Sequence, residues 1–266
     1  RPTVTGYSVS TSGLGVSYGR TAAPPDVTID LAPDRIHGLL GRNGAGKSTL
    51  LSTLASLRAP SAGTVAVDGG NPFEDERRME HTCLVRECGD VIGDEPLTVN
   101  LDWFALARPT FDRAFAEDLL DRFGLDPRTK PQALSRGQAS AFGVVTGLAS
   151  RSPLTMFDEV HLGMDAPARH TFYEALLADF AEHPRTIIVS SHLINEIETM
   201  LETVTIIHQG RLLLSEEADE LRARGATLTG PADAVDRLTA GQTVIGSRDL
   251  GPTRQALGEA SAEDLA

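Results

Sequence analysis

The chain has 266 residues, a length that allows one large α/β domain with a small appended unit. Its apolar content of 41% is that of a globular protein, and no apolar run reaches the ~18–20 residues that span a bilayer. The formal net charge of −13 argues against a general nucleic-acid-binding surface and against attachment to anionic lipid by charge, so any membrane contact is expected to come through a partner protein.

Residues 4–40 have the composition of short strands, and a loop and a helix follow them. Strands separated by Gly and Pro are predicted at 4–9, 14–18 and 27–31. A compact apolar strand at 35–40 leads into a glycine-rich loop, and leucines then recur at helical spacing over 47–57.

The glycine-rich loop fits the pattern G-x-x-x-x-G-K-[ST] between Gly41 and Ser48. Glycines allow a turn whose N–H groups face a phosphate, and the following helix adds its positive end. Lys47 is expected to neutralise the β- and γ-phosphates of ATP, and Ser48 to bind Mg²⁺. A turn that only caps a helix is the alternative, which the flanking strand and helix disfavour. The predicted nucleotide-binding residues here are Gly41, Asn43, Gly44, Ala45, Gly46, Lys47, Ser48 and Thr49.

Beyond this loop, strands and helices alternate along the chain, a pattern that predicts a mostly parallel sheet. Residues 98–150 are mainly helical in pattern and are predicted to form an inserted helical subdomain. Further strands are predicted at 64–67, 154–157 and 186–190, a hairpin around 208–211, and helices at about 165–182, 193–202 and 216–224.

The apolar strand that starts at Leu154 is followed directly by two carboxylates, Asp158 and Glu159. Asp158 is expected to bind Mg²⁺ directly or through a second shell of ligands, and Glu159 to polarise the water that attacks the γ-phosphate. An acidic turn without a ligand is the alternative, and this strand by itself does not decide between the two.

The segment Leu134-Ser135-Arg136-Gly137-Gln138 lies upstream, with Gln138 twenty positions before Asp158. Together with the phosphate loop and the Asp-Glu strand, it resembles the ATPase subunit of ABC transporters, whose signature L-S-G-G-Q precedes that strand by about this distance. The resemblance implies that Ser135, Gly137 and Gln138 lie at a helix N-terminus and contact an ATP held by a second subunit. A polar helix start without a ligand is the alternative for the segment taken alone.

Three further residues match positions of that family over residues 4–225. Tyr18 precedes the phosphate loop, where the family stacks an aromatic ring on adenine, although a tyrosine of the core or surface is the alternative. Asp165 resembles the D-loop aspartate that reaches across the dimer. His192, directly after an apolar strand, resembles the switch histidine that contacts the γ-phosphate. The resemblance assigns no role to His37, His81, His161, His170, His183 and His208.

The sequence departs from the family pattern at four places. Arg136 replaces the first glycine of the signature, where it either assists binding or faces solvent. Glu87 stands at the glutamine position of the Q-loop, where its carboxylate is expected to meet Mg²⁺ or water and to alter coupling to the membrane partner. Val160-His161-Leu162 replaces Pro-Thr-Ser ahead of the D-loop, and residues 226–266 continue past the ATPase core.

These observations predict an α/β fold: a P-loop NTPase core with a mostly parallel sheet, an N-terminal antiparallel β subdomain and an inserted helical subdomain at about 94–150. The ABC ATPase domain is predicted to cover residues 1–225. Residues 226–266 are predicted to form a small C-terminal extension resembling a βαβ unit, with strands near 227–229 and 243–245 and a helix over 232–238.

The resemblance implies an ATPase subunit that pairs with a second ATPase subunit around two ATP·Mg²⁺ and drives a separate membrane-spanning permease. Catalysis would use Glu159, Lys47 and His192. The single cassette resembles the branch that exports drugs, peptides or lipids, which implies a cytoplasmic location, peripheral on the inner face of the membrane through the permease. No nucleic-acid partner is expected.

Two other functions fit part of the pattern. A soluble ABC ATPase acting on ribosomes or DNA usually carries two cassettes or long coiled-coil insertions, and often basic surfaces, so one cassette and the charge of −13 disfavour it. A nucleotide-gated regulatory module without hydrolysis is disfavoured by the presence of Glu159 and His192.

Overall fold

The computed structural model describes residues 6–15, 27–86, 91–192, 197–231, 244–250 and 253–259. The chain divides into two compact units, one up to Ser215 and one from Glu216. The domain boundary that the sequence places after residue 225 stays a prediction. Within the described part of the chain, no helix has the length and apolar character needed to cross a membrane.

The strands are β1 (Val9–Leu14), β2 (Val27–Leu31), β3 (Ile36–Leu40), β4 (Thr64–Val67), β5 (Thr82–Arg86), β6 (Leu154–Asp158), β7 (Thr186–Ser191), β8 (Thr203–His208), β9 (Arg211–Glu217), β10 (Gly225–Pro231), β11 (Val244–Leu250) and β12 (Thr253–Glu259). The helices are α1 (Lys47–Leu54), α2 (Glu76–Glu80), α3 (Leu97–Ala107), α4 (Arg113–Arg122), α5 (Arg136–Ser150), α6 (Ala166–Glu182) and α7 (Ala218–Arg224). Short 3₁₀ turns lie at Pro131–Ala133, Val160–Gly163 and Glu198–Met200.

The central sheet has six strands in the order β5-β6-β7-β3-β8-β9, and the pairs from β5 to β8 are parallel. β3 and β7 are buried along their whole length, as expected for strands covered on both faces. The predicted mostly parallel α/β core is therefore confirmed.

The register of the central sheet brings three functional segments to one edge. Asp158 at the end of β6 pairs with Ser190 of β7, and Ser191 pairs with Leu40, the last residue of β3. The carboxyl ends of parallel strands lie at the same edge of a sheet, which is where ligands bind in open α/β folds. The phosphate loop, the Asp158-Glu159 pair and His192 consequently follow neighbouring strands.

A second, antiparallel sheet of the order β2-β1-β4 confirms the predicted N-terminal β subdomain. The sequence predicts two strands, 4–9 and 14–18, of which residues 4–5 and 16–18 lie outside the described residues; the described stretch 6–15 contains one strand, from Val9 to Leu14. Gly13, which looks like a strand break, has a φ of 54° at a shift in the pairing between Thr11 and Leu14. This is a β-bulge, in which a strand accommodates an extra residue without ending.

Helix α1 joins the two sheets in one core, because its buried leucines Leu50, Leu51 and Leu54 pack in a cluster with side chains of both sheets. The predicted helical block contains α3, α4 and the whole of α5. From Ser140 onward α5 is buried. Of the helix predicted over 193–202, the described residues contain the 3₁₀ turn Glu198–Met200, and β8 begins at Thr203.

In the second unit, β10 and β11 each pair antiparallel with β12, which lies between them. The strand predicted at 227–229 falls within β10, and the one predicted at 243–245 overlaps the start of β11, since residue 243 lies outside the described residues; β12 was not predicted. The helix expected over 232–238 lies outside the described residues.

Candidate nucleotide site

The phosphate loop runs from the end of β3 to the start of α1 and is held against β7 and against the turn between β8 and β9. The N–H of Gly41 donates to Ser191 O at 3.3 Å, and Gly210 N–H donates to Ala45 O at 2.8 Å. A Cβ atom at Gly41 would lie 2.3 Å from Ile207 O, so only glycine fits there. Gly44 and Gly46 have φ values of 79° and 110°, which a residue with a side chain rarely adopts.

The helix that follows the loop begins without a side-chain cap. Gly46 is the N-cap residue and provides no side-chain hydrogen bond to the first turn of α1. The amides of that turn are therefore suited to a phosphate, which the positive end of the helix also favours. These features of the loop fit the phosphates of ATP.

Lys47 lies buried beneath the loop, with 4% of its side chain exposed. Its ammonium group donates to Gly41 O at 2.6 Å and to Arg42 O at 3.3 Å. It also lies 3.1 Å from Oε1 of Glu159. The sheet order thus brings the phosphate-loop lysine and the Asp-Glu strand into direct contact.

Glu159 follows β6 in a left-handed backbone conformation, with φ 52° and ψ 26°. Its carboxylate contacts His192 Nδ1 at 3.2 Å as well as Lys47. Burial is the largest influence on this carboxyl group and acts to raise its pKa. The hydrogen bonds and charges of Lys47 and His192 together outweigh burial, so the pKa of Glu159 lies below its ordinary value. An ionised carboxylate is the form that accepts a proton from water.

Asp158 and Ser48 are the residues expected to hold Mg²⁺. Ser48 is exposed at the start of α1, and Asp158 is half-buried at the end of β6, where it accepts a hydrogen bond from Ser190 Oγ at 2.6 Å. One carboxylate and one hydroxyl beside a phosphate site form a donor set that suits Mg²⁺, which takes oxygen ligands and usually shares them with substrate phosphates. These residues therefore fit the ion.

A cavity of about 510 Å³ opens over the phosphate loop. Its lining includes Asn43, Gly44 and His192, together with His208 at the end of β8 and Gln209 in the turn that follows. The sequence predicts that turn as a hairpin and assigns His208 no role. His208 lies beside the phosphate loop because β8 pairs with β3, which sets Ile206 beside Leu40 at the start of the loop.

The signature segment forms the N-terminus of α5. Ser135 Oγ accepts from Gln138 N–H at 3.2 Å, and Gln138 Oε1 accepts from Ser135 N–H at 3.0 Å, a capping box. Gly137 packs against Gly163, since a Cβ at Gly137 would lie 2.9 Å from Gly163 O. Arg136, one residue before, has an exposed side chain.

A second cavity, of about 500 Å³, lies between the signature and the turn before α6. Ser135, Gly137, Gln138 and Asp165 all line it. Within this chain Asp165 caps α6 by accepting from Ala168 N–H at 2.9 Å. Of the turn that replaces Pro-Thr-Ser, Val160 and His161 are buried, and His161 Nε2 lies 3.1 Å from Ser191 Oγ.

The structure therefore brings together the phosphate loop, Asp158, Glu159 and His192 at one site, and Ser135, Gly137, Gln138 and Asp165 at another. Thr49 is buried in α1, one residue after Ser48. Tyr18 and Glu87 lie outside the described residues.

Comparison with known proteins decides the family. The model of the ABC transporter family matches residues 25–161, more than half of the chain. The chain belongs to the ABC transporter family. It is an ATP-binding and ATP-hydrolysing subunit of that family, and the predicted α/β cassette is the family's fold.

Characterised relatives are distant in sequence but match most of the chain. The ABC transporter ATP-binding protein YtrB of Bacillus subtilis is 27% identical over 74% of this chain and 68% of its own length. The bacitracin transport ATP-binding protein BcrA of Enterococcus faecalis is 28% identical over 84% of this chain and 73% of its own. A solved ATP-binding subunit of an ABC transporter aligns with a TM-score of 0.71 at 25% identity, covering 80% of this chain and 91% of that one.

Proposed function

We propose that this ABC ATPase works as one half of a dimer that closes head to tail around two ATP·Mg²⁺, with either a second copy or a homologous ATPase subunit. The support comes from the two separate cavities, which share no lining residue. One is built on the phosphate loop and the other on the N-termini of α5 and α6. A partner placed head to tail would bring its signature cavity over this chain's phosphate loop, and this chain's signature cavity over the partner's phosphate loop.

ATP hydrolysis at this site is supported by the direct contact of Lys47 and His192 with the Glu159 carboxylate beside the phosphate loop. In this arrangement Lys47 binds the β- and γ-phosphates, and Glu159 accepts hydrogen bonds from the attacking water and orients it. His192 stabilises charge on the γ-phosphate. Bound Mg²⁺, held by Ser48 and Asp158, would supply further positive charge next to the phosphates.

We further propose that the dimer drives a separate membrane-spanning permease that exports a drug, peptide or lipid, which places this subunit at the cytoplasmic face of the cell membrane. Relatives support the cargo class. BcrA of Enterococcus faecalis is a bacitracin transport protein, and SrtF of Streptococcus pyogenes, 27% identical over 77% of this chain, is a lantibiotic transport protein. The net charge of −13 supports a protein partner rather than lipid or nucleic acid.

The dimer is tested by measuring the size of the Glu159→Gln protein with light scattering. This protein should retain bound ATP, because it no longer orients the attacking water and so does not hydrolyse the nucleotide. A dimer with ATP and Mg²⁺, and a monomer without them, supports the proposal. The same protein carrying Ser135→Arg, which places a bulky cation in the signature cavity, is the control and should stay monomeric. A protein that remains monomeric at saturating ATP contradicts the head-to-tail dimer.

The permease is tested by purification from membranes of the source cell. A tagged chain should carry a multi-spanning membrane protein with it. In vesicles, that complex should move a peptide or drug away from the cassette side of the membrane when ATP is supplied on the cassette side. Recovery of ribosomal particles or DNA instead would contradict this part of the proposal.

A further inference from the structure

Ser190 connects the two carboxylate residues at the end of β6. Its hydroxyl donates to Asp158 Oδ1 at 2.6 Å and accepts from the backbone N–H of Glu159 at 3.0 Å. The side chain is fully buried. One hydroxyl thus donates to Asp158, the residue assigned to metal binding, and accepts from Glu159, the residue assigned to water orientation.

A serine at this position needs an explanation, because its surroundings favour an apolar residue. β7 is buried along its whole length, and its preceding residues Ile187 to Val189 are apolar. A hydroxyl in such a strand costs stability unless it is hydrogen-bonded. The parallel register sets Ser190 directly beside Asp158. The two hydrogen bonds of the Ser190 hydroxyl therefore offset the cost of burying it and hold it against Asp158 and Glu159.

The second of these bonds holds an unusual turn. Glu159 leaves β6 in the left-handed conformation, which disfavours residues with a Cβ atom. Its N–H turns to Ser190 Oγ rather than to a backbone carbonyl of the sheet. From this turn the Glu159 side chain contacts Lys47 and His192. Removal of the hydroxyl would leave the turn without its anchor on β7.

We propose that Ser190 is a positioning residue for ATP hydrolysis: through its hydroxyl it fixes the direction of the Glu159 side chain and the orientation of the Asp158 carboxylate. This inference rests on the roles proposed for those two carboxylates. Ser190 acts through them and is not assigned a contact with ATP.

The test is a pair of variants of equal shape, Ser190→Thr and Ser190→Val, in the full-length protein. Thr keeps the hydroxyl and Val lacks it, so the added methyl group affects both equally. The Val protein should hydrolyse ATP with a kcat about tenfold to a hundredfold lower than that of the Thr protein, because small displacements of a catalytic group have effects of this size. The Kd for ATP should be equal in the two. Equal kcat values, or a Kd that weakens in parallel with kcat, would overturn the proposal.

A readout that needs no turnover is hydrogen exchange of the Glu159 amide. It should be protected in the wild-type and Thr proteins and exchange at least tenfold faster in the Val protein. If the methyl group prevents folding of both, Ser190→Ala decides by the same two readouts. Wild-type kcat and protection in that protein would overturn the proposal. If the amide responds as expected but Glu159→Gln retains full activity, the catalytic role of Glu159 fails while the Ser190 contact stands.

Discussion

Lys47 Nζ lies 3.1 Å from Glu159 Oε1, so the residue that would hold the phosphates contacts the residue that would orient water. The same ammonium group donates to the carbonyls of Gly41 and Arg42. Since an ammonium group has three N–H donors, a phosphate that binds Lys47 must replace at least one of these partners. ATP binding is thereby coupled to the environment of Glu159.

The first prediction concerns the pKa of Glu159. Burial acts to raise it, and Lys47 and then His192 lower it below the ordinary value. The Lys47→Met protein should therefore show a Glu159 pKa higher than that of the wild type, because the largest lowering influence is gone while burial remains. A pH titration of the glutamate carboxyl carbons by NMR measures this. The exposed Lys130 provides the matched control, and Lys130→Met should leave the titration unchanged.

The lowered pKa also sets the sign of a stability effect. Ionised Glu159 stabilises the folded wild-type protein at pH values above the pKa of an unfolded glutamate, and this contribution is lost as the pH falls through the lower folded pKa. In the Lys47→Met protein this contribution should be smaller, because only His192 still lowers the pKa of Glu159. Urea unfolding at pH 7 and near pH 4 should show a smaller acid-induced loss of stability in Lys47→Met than in the wild type. An equal loss in both proteins would contradict the assignment.

The second prediction uses two glycines of the phosphate loop. Gly41→Ala should lower the free energy of unfolding by about 2–3 kcal/mol and weaken ATP binding, because its Cβ would meet Ile207 O at 2.3 Å and push the loop from β8. Gly44 has no atom within 4 Å of such a Cβ, so Gly44→Ala bears mainly the cost of its φ of 79°, about 1–2 kcal/mol. Thermal unfolding and ATP titration compare the two. A larger loss in Gly44→Ala would show that the contact with β8 does not fix the loop.

The third prediction separates the signature from the phosphate loop. Ser135→Ala should remove the cap of α5 at a cost of about 1 kcal/mol. If the signature completes the site of a partner subunit, this protein should bind ATP normally but hydrolyse it at least tenfold more slowly. The control is Asp75→Ala, which removes the N-cap of α2 at a similar cost in stability. A larger loss of ATPase activity in Ser135→Ala than in Asp75→Ala, at equal stability, supports the role of the signature in a partner's site. Equal activities in the two proteins would refute it.

Motifs made of consecutive residues could be predicted from the sequence, and contacts between distant segments could not. The phosphate loop and the Asp158-Glu159 pair are each a short run of residues whose types indicate phosphate and metal binding directly. Ser190, by contrast, gains its contacts from the register of β7 on β6, and His208 from the pairing of β8 with β3. Neither register is encoded locally.

Local signals also misled in one place. Gly13 indicates a strand end, yet pairing on both sides of β1 turns it into a bulge within a continuous strand. Cross-strand hydrogen bonds outweigh the conformational freedom of a single glycine. Asp165 illustrates a different limit, because its position resembles that of a residue reaching a partner, while within this chain it caps α6. An aspartate that caps a helix and one that contacts a partner can stand at the same position, so the sequence pattern does not distinguish the two roles.

The most direct test of the central claim is the ATPase rate of the Glu159→Gln protein, measured with its Kd for ATP. Glutamine keeps the size of the side chain but loses the charge that contacts Lys47 and His192. The expected result is ATP binding at wild-type strength or tighter and a kcat lower by about a hundredfold or more. Hydrolysis at the wild-type rate would show that Glu159 does not orient the attacking water and would contradict the account of this site.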